Sequence, residues 1–133
     1  MADLEPDHER TVLLVEDDVA IARMYKLQLE LDGYLVLIAA DGETGLSIAE
    51  RFKPDLIVLD IGLPGMNGLA LLDAIRANDR LHEIPILILT NLDDPDIEKR
   101  SIALGARRFL LKSKTTPDAL AGWVRRSSNA GTV

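Results

Sequence analysis

The feature that most constrains this fold is a short apolar run, residues 56–59, that ends on Asp60. Four apolar residues in a row are typical of a strand that is buried on both faces, as in a parallel sheet. Residues 62–68 then contain three glycines, a proline and an asparagine, which predict a turn before a helix at residues 69–77. The Asp60 carboxylate is therefore expected at the carboxyl end of a buried strand, where open α/β sheets bind ligands, unless it only caps the turn.

Composition excludes several classes of protein. The 133 residues suit one domain, and 47% of them are hydrophobic, which is enough for a packed core. A net charge of −7 argues against direct binding of nucleic acid, which needs a basic surface. The chain has no cysteine, no signal peptide at its start and no apolar run near the roughly 20 residues that span a bilayer. These features predict a cytoplasmic protein that does not insert into membranes.

Apolar periodicity divides the chain into five strands that alternate with five helices. The strands are predicted at residues 11–15, 34–38, 56–59, 86–89 and 107–111, and the helices at 19–31, 42–51, 69–77, 95–104 and 117–126. In this interpretation residues 10–126 form one domain, between a flexible arm at 1–9 and a flexible tail at 127–133. Strict alternation predicts a doubly wound (βα)5 fold of the α/β class, with a parallel sheet and helices on both of its faces.

Polar side chains stand at the ends of four of the five predicted strands. Glu16 and Asp17 follow the first strand, Asp60 follows the third and Lys112 the fifth, while Thr90 comes at the end of the fourth. The second strand ends on two alanines, which suits a strand at the edge of the sheet. The strand order 2-1-3-4-5 satisfies this pattern, and it brings the three acids together at the switch point between strands one and three.

Three carboxylates in one pocket repel each other, and a hard divalent cation relieves that repulsion. Mg²⁺ prefers oxygen ligands and keeps several of its waters, so Glu16, Asp17 and Asp60 predict a magnesium site with open positions. Lys112 adds a fixed positive charge and Thr90 a hydroxyl. Together these groups suit phosphoryl transfer to Asp60, which would act as the nucleophile and form an acyl phosphate.

Taken singly, these residues have structural interpretations as well. An acidic run after a strand often only complements the dipole of the next helix, and Asp18 is expected to face the N-terminus of the first helix in this way. Thr90 and Lys112, each considered alone, are most often structural or solvated residues near a strand end. Their occurrence at the same end of successive strands favours a functional site.

Four motifs make the chain resemble the receiver domain of two-component response regulators (CheY-like). They are Val-Leu-Leu-Val-Glu-Asp-Asp, Asp-Leu-Ile-Val-Leu-Asp with Leu-Pro-Gly-Met-Asn-Gly, Ile-Pro-Ile-Leu-Ile-Leu-Thr, and Gly-Ala-Arg-Arg-Phe-Leu-Leu-Lys. The resemblance covers residues 10–126 and implies a flavodoxin-like fold, for which a member of this family exemplifies the order 2-1-3-4-5.

By this resemblance Asp60 is the phosphoacceptor, and Glu16 and Asp17 are the acidic pair that binds Mg²⁺. The backbone carbonyl of Gly62 is implied as a further metal ligand.

The resemblance also implies a switch, in which Thr90 and Lys112 contact the phosphoryl group and Phe109 turns inward when Thr90 moves. A sensor histidine kinase or a phosphotransfer protein is the implied phosphoryl donor, and the chain is not an enzyme beyond its own phosphorylation and dephosphorylation. A homodimer is implied through the face made by the fourth helix, the fifth strand and the fifth helix. The donor, the output pathway and any further domain stay open.

Five positions depart from the pattern of this family. Ser113 stands where a proline in a cis peptide is usual, and a cis bond to serine costs about 2.5–4 kcal/mol, so a trans bond is expected. Asn91 replaces a smaller residue and would crowd the phosphoryl group or hydrogen-bond to it. Gly62 cannot orient a hydrolytic water and Leu92 shields the site, so the two predict a slow dephosphorylation. Phe109 lacks the hydroxyl of the more usual tyrosine.

Two other classes of function remain open at this point. An Mg²⁺-dependent phosphatase or hydrolase could use Asp60, but it needs a general acid two residues later, where this chain has Gly62. An interaction module that is never phosphorylated could share the fold. The intact acidic pair, Thr90 and Lys112 favour a phosphorylated receiver over both.

Overall fold

A five-stranded parallel sheet forms the middle layer of the protein, for which a computed structural model describes residues 10–129. Its strands are β1 (Thr11–Val15), β2 (Leu35–Ala39), β3 (Leu56–Leu59), β4 (Ile86–Thr90) and β5 (Arg108–Leu111). They lie in the order β2-β1-β3-β4-β5, and every neighbouring pair is parallel. The predicted fold class and strand order are confirmed.

Helices cover both faces of this sheet. They are α1 (Val19–Leu31), α2 (Gly42–Phe52), α3 (Gly68–Arg76), α4 (Pro95–Ala103) and α5 (Pro117–Asn129). Buried side chains of α1 and α5 belong to one core cluster, and those of α2 and α3 belong to a second cluster on the opposite face. Apart from the end of α5, the observed boundaries differ from the predicted ones by no more than one residue.

The central strands are apolar on both faces because each face supplies a separate core. In β1, Leu13 and Val15 pack with α2 and α3, whereas Val12 and Leu14 pack with α1 and α5. This alternation follows from the two-residue period of a strand. All four residues of Leu56–Leu59 are fully buried, which explains why the run before Asp60 contains no polar residue.

Side-chain caps define where the helices begin. Asp41 accepts a hydrogen bond from the backbone N–H of Thr44 (2.8 Å), and Asp94 accepts one from the N–H of Asp96 (2.9 Å). Each cap satisfies an N–H group that has no partner within its helix. Asp18 does the same for α1, so its predicted orientation towards the helix N-terminus is confirmed.

The last helix is longer than predicted. α5 continues to Asn129, three residues beyond the predicted end of this helix at residue 126. Ser127 lies three residues after the buried Val124 and is itself buried, because it belongs to the same face of the helix. The predicted arm at residues 1–9 and the remainder of the tail, residues 130–133, lie outside the described residues.

The connection from β5 to α5 contains a short 3-10 turn, Lys112–Lys114. No peptide bond among residues 10–129 is cis, so the bond before Ser113 is trans, as predicted. The hydroxyl of Tyr25 on α1 donates a buried hydrogen bond to the carbonyl of Thr115 (3.0 Å). This bond attaches the loop that carries Lys112 to α1.

At the edge of the sheet opposite to Asp60, the side chain of Arg76 joins several segments of the chain by hydrogen bonds. The guanidinium of Arg76, at the end of α3, donates hydrogen bonds of 2.8–3.1 Å to four backbone carbonyls, those of His82, Ile84, Leu104 and Gly105. Burial, followed by the positive charge of Arg107, lowers the pKa of Arg76. Sequence patterns did not indicate this role, because the carbonyls of Leu104 and Gly105 lie 28 and 29 residues after Arg76 and only the fold brings them close to it.

We expect Gly68→Ala to destabilise the fold, because α3 starts directly against the loop after Asp60. A Cβ at position 68 would overlap the carbonyl of Asp60 and lie 2.5 Å from the Cα of Ile61, and neither backbone atom can move freely. Crowding of this kind costs about 1–3 kcal/mol. Urea unfolding measures the change in the free energy of unfolding.

Gly122→Ala is the matched control for this prediction. Gly122 is also helical, but a Cβ there meets only the ends of arginine side chains, at 3.5 Å or more. The control should be neutral or slightly stabilising, because alanine favours the helix. Equal stabilities for the two variants would contradict the close approach of α3 to the Asp60 loop.

Candidate functional site

Three carboxylates converge at the carboxyl edge of the sheet. Glu16, Asp17 and Asp60 each offer one oxygen atom, and these atoms lie within 4.8 Å of one another. Glu16 and Asp60 are buried, whereas Asp17 is exposed. Because β1 pairs directly with β3, the residues that follow the two strands become neighbours. The structure thus brings together the three acids that the sequence singled out.

Lys112 reaches across the end of β4 and enters this acidic cluster. Its ammonium lies 2.6 Å from Oε1 of Glu16 and 2.8 Å from Oδ2 of Asp60. Burial acts to lower the pKa of Lys112, but the hydrogen bonds and negative charges of Asp60 and Glu16 outweigh it and raise the pKa. Lys112 therefore carries a lasting positive charge inside the site.

Burial raises the pKa of Glu16, although hydrogen bonds to this carboxylate oppose the effect. One oxygen faces Lys112, and the other accepts the backbone N–H of Asp18 (3.0 Å). Three acids and one lysine leave an excess of negative charge in a partly desolvated position. A hard divalent cation suits such a set of oxygen donors, so the residues present fit a metal of the Mg²⁺ type.

The Asp60 carboxylate is held from two sides. Oδ1 accepts the backbone N–H of Gly62 (3.0 Å), and Oδ2 accepts the ammonium of Lys112 (2.8 Å). The backbone N–H of Asp60 also donates to the carbonyl of Val15 (3.1 Å), which continues the strand pairing. The carboxylate is consequently fixed in orientation at the lip of the sheet.

These groups open onto a cavity of about 310 Å³. Every strand-end residue of the predicted site lines it, together with the neighbouring Asn91, Leu92 and Gly62. The full lining is Glu16, Asp17, Asp18, Ile21, Asp60, Gly62, Thr90, Asn91, Leu92 and Lys112. Ile21 was not singled out from the sequence. Its position in the first turn of the helix that follows the acids is the signal that could have indicated it.

Thr90 is almost completely buried, and its hydroxyl oxygen accepts the backbone N–H of Leu92 (3.3 Å). Asn91 and Leu92 are exposed at the mouth of the cavity. Phe109, in contrast, does not line the cavity. It is half-buried and packs against the core cluster on the α3 side of the sheet. Its role as a switch stays a prediction, as does that of the Gly62 carbonyl as a metal ligand.

The sequence model for the response regulator receiver domain matches residues 12–123. The chain belongs to the response regulator receiver family. Its expected resemblance to this family is confirmed, and the receiver fold is the one described above. No helix among residues 10–129 is long and apolar enough to cross a membrane.

Individual relatives agree with this assignment. The transcriptional regulator RpaA of Synechocystis is 34% identical over 110 residues, which cover 83% of this chain but 46% of RpaA. This chain thus spans about half the length of the curated regulators that it matches.

Solved structures of receivers agree over nearly their full length. The chemotaxis protein CheY4 of Vibrio cholerae has a TM-score of 0.83 and 32% identity, covering 90% of this chain and 99% of CheY4. A Mn²⁺-bound form of the response regulator Rcp1 has a TM-score of 0.77 and 26% identity, with coverage of 88% and 92%.

We expect Asp17→Asn to weaken the binding of Mg²⁺ or Mn²⁺ about tenfold or more, because it removes one charged oxygen donor from the cluster. Asp18→Asn is the matched control. Its side chain caps α1 rather than joining the cluster, and asparagine caps a helix as well as aspartate does. Titration calorimetry of both variants measures the affinities. A similar loss of affinity in the two variants would show that the metal ligands are assigned wrongly.

Proposed function

We propose that this receiver is activated by Mg²⁺-dependent phosphorylation of Asp60. The donor is a phosphohistidine on a sensor histidine kinase or on a phosphotransfer protein. The observation that carries the proposal is the geometry of Asp60, whose carboxylate is held by Lys112 and the Gly62 N–H beside the acidic pair Glu16 and Asp17.

In the proposed reaction a carboxylate oxygen of Asp60 attacks the phosphorus atom of the donor. The new oxygen–phosphorus bond forms as the phosphorus–nitrogen bond breaks, and the donor imidazole leaves with the electron pair of that bond. Lys112 stabilises negative charge on the phosphoryl oxygens, and its raised pKa keeps it protonated. The chain thus promotes only its own phosphorylation and dephosphorylation and is not an enzyme for other substrates.

Glu16, Asp17 and Asp60 would hold the metal ion, with the carbonyl of Gly62 as a further ligand. A bound Mg²⁺ ion would supply positive charge that offsets the negative charge of the phosphoryl oxygens. The similarity to Rcp1, a response regulator with a solved Mn²⁺-bound form, supports the binding of a divalent ion by this receiver. A chain that lacks cysteine and takes its phosphoryl group from a kinase suits the cytoplasm.

The output of this receiver would be a change in the face made by α4, β5 and α5. Thr90 would turn its hydroxyl towards the phosphoryl group, and Phe109 would move further into the core. Within α4, Ser101 is the one buried residue, so little packing opposes a shift of this helix.

This face also carries charges that suit a homodimer. Acidic side chains are exposed at the start of α4, and two exposed arginines precede and begin β5. Arg108 stacks on the ring of Trp123 at 4.6 Å, so this tryptophan also packs within the face.

A phosphatase acting on other substrates is the weaker alternative. A Cβ at position 62 would lie 3.9 Å from Oδ1 of Asp60, so a side chain there could reach the phosphoryl group. Glycine leaves that position without a general acid. A second alternative is a receiver-like module that is never phosphorylated. Such a module would not react with a phosphoryl donor, and the following experiment measures that reaction.

We expect acetyl phosphate with Mg²⁺ to add one phosphoryl group to Asp60, detected by intact mass and by peptide mapping. A chelator should abolish the product because the acidic cluster would lose its cation. Asp60→Asn should abolish it because the nucleophile is gone. Glu83→Gln, which alters an exposed acid outside the cavity, is the control that should react normally. An adduct elsewhere, or no adduct with Mg²⁺ present, would refute the proposed function.

The acyl phosphate should be long-lived for a receiver. Gly62 has no side chain to orient a water, and Leu92, with 40% of its surface exposed, stands at the cavity mouth as an apolar shield. Gly62→Asn combined with Leu92→Glu or Leu92→Lys should shorten the lifetime about tenfold or more, since an oriented water lowers the barrier.

The lifetime is measured as the decay of phosphorylated protein after removal of the donor at constant Mg²⁺. Ile102→Glu is the control for the variant with Leu92→Glu, because it introduces the same charge at an exposed apolar residue away from the cavity. Unchanged decay in the double variant would mean that positions 62 and 92 do not govern hydrolysis.

A further inference from the structure

A second cavity, of about 810 Å³, lies between α3 and α4. It is larger than the cavity beside Asp60, and its volume is typical of cavities that bind small molecules. Two of the residues that line it are small, Ala70 of α3 and Ala103 of α4, and they leave space between the two helices. The proposed phosphorylation of Asp60 makes no use of this space.

Most of the lining of this α3–α4 cavity is apolar. Leu69, Ile97 and Leu104 line it and also pack against the core cluster beneath the two helices. Ile61 and Leu92 line the end that lies towards the carboxyl edge of the sheet. A ligand in the cavity would therefore bury an apolar part against these side chains, which favours binding.

Two charged residues of opposite sign line the cavity from opposite helices. They are Asp73 on α3 and Arg100 on α4. Within residues 10–129 neither side chain forms an ion pair or a hydrogen bond, with the other or with any further residue. Arg76, one turn after Asp73, donates instead to backbone carbonyls. Asp73 and Arg100 are thus available to a ligand that carries both charges.

We propose that the α3–α4 cavity binds a free amino acid with a large apolar side chain. The carboxylate of the ligand pairs with the planar guanidinium of Arg100, whose shape matches a carboxylate. The ammonium group of the ligand pairs with Asp73, and its side chain lies on the apolar lining. An anion alone would be repelled by Asp73 and a cation alone by Arg100, so the two charges together select a zwitterion.

The α3–α4 cavity adjoins the proposed phosphorylation site. Leu92 lines both cavities, and Ile61 follows Asp60 directly in the chain. A ligand that contacts α3 and α4 together holds α4 in place, and it opposes the shift of α4 that we propose to follow phosphorylation. Ligand binding and phosphorylation therefore weaken each other. This coupling rests on the proposed function, whereas the binding site itself does not.

The first test is a titration of the unphosphorylated chain, followed by heteronuclear NMR, with L-phenylalanine and two analogues. Hydrocinnamate lacks the ammonium group, and phenethylamine lacks the carboxylate. L-Phenylalanine should shift the amide signals of residues that line the α3–α4 cavity. It should bind about three- to tenfold more tightly than either analogue, because each analogue loses one ion pair.

Substitution of the two charged residues separates their roles. Arg100→Gln should weaken L-phenylalanine about three- to tenfold without weakening phenethylamine, which has no carboxylate. Asp73→Asn should weaken L-phenylalanine without weakening hydrocinnamate. Lys99→Gln and Asp79→Asn are the matched controls, because each removes the same charge from an exposed residue outside the cavity. Both controls should bind all three compounds as the unchanged chain does.

A further variant fills the cavity. Ala70→Phe should prevent the binding of L-phenylalanine, because its ring occupies the space that the ligand needs. Ala77→Phe is the matched control, since Ala77 is also an exposed alanine but does not line the cavity. Circular dichroism verifies that both variants keep their helices.

The coupling is tested with beryllofluoride and Mg²⁺, which together mimic the acyl phosphate of Asp60. The affinity for L-phenylalanine should fall about threefold or more in this form. Equal affinities with and without beryllofluoride, in a chain that acetyl phosphate does phosphorylate, would refute the coupling. A chain that binds L-phenylalanine but accepts no phosphoryl group would refute the proposed function and support the ligand site.

The ligand site would be overturned if L-phenylalanine did not bind, or if the shifted signals lay away from α3 and α4. Binding of either analogue as tight as that of L-phenylalanine would overturn the selection of a zwitterion. Equal losses of affinity in Arg100→Gln and Lys99→Gln would show that Arg100 does not contact the ligand.

Discussion

The contact on which the site depends is the ammonium of Lys112 between Glu16 and Asp60. It joins the ends of β1, β3 and β5 across the end of β4, and it offsets negative charge that burial would otherwise make costly. Removal of one partner from a buried ion pair leaves an uncompensated charge. The same contact keeps the Asp60 carboxylate in one orientation. One ammonium group therefore both offsets the negative charge at this edge of the sheet and orients the proposed nucleophile.

The parallel sheet makes this contact possible, because all five strands end at the same edge. The strand order sets β1 against β3, and the hydrogen bond from Tyr25 to Thr115 holds the Lys112 loop against α1. Helices then lead the chain back to the opposite edge, and side-chain caps at the starts of α1 to α4 each satisfy one or two N–H groups. The positions of the polar groups at the carboxyl edge are thus set by a sheet and helices that pack through an almost wholly apolar interior.

Sequence patterns predicted the strands and the acidic cluster because both follow from local rules, the two-residue period of a strand and the polar residue that ends it. They placed the end of α5 too early, since Ser127 is polar but lies on the buried face of the helix. The hydrogen bonds of Arg76 were beyond prediction, because they join segments that only the folded chain brings together. Ile21 at the cavity was missed because its spacing already explained it as a core residue.

Arg76 has a consequence for how α4 can move. Its guanidinium holds the carbonyls of Leu104 and Gly105, immediately after the C-terminal end of that helix. The N-terminal end follows the exposed residues at the cavity mouth, and it is held by the cap at Asp94 and by the packing of the half-buried Ile97 against the core. A helix that is held more firmly at its C-terminal end than at its N-terminal end can pivot about the C-terminal end. If phosphorylation moves Thr90 as proposed, we expect the N-terminal end of α4 to be displaced more than its C-terminal end.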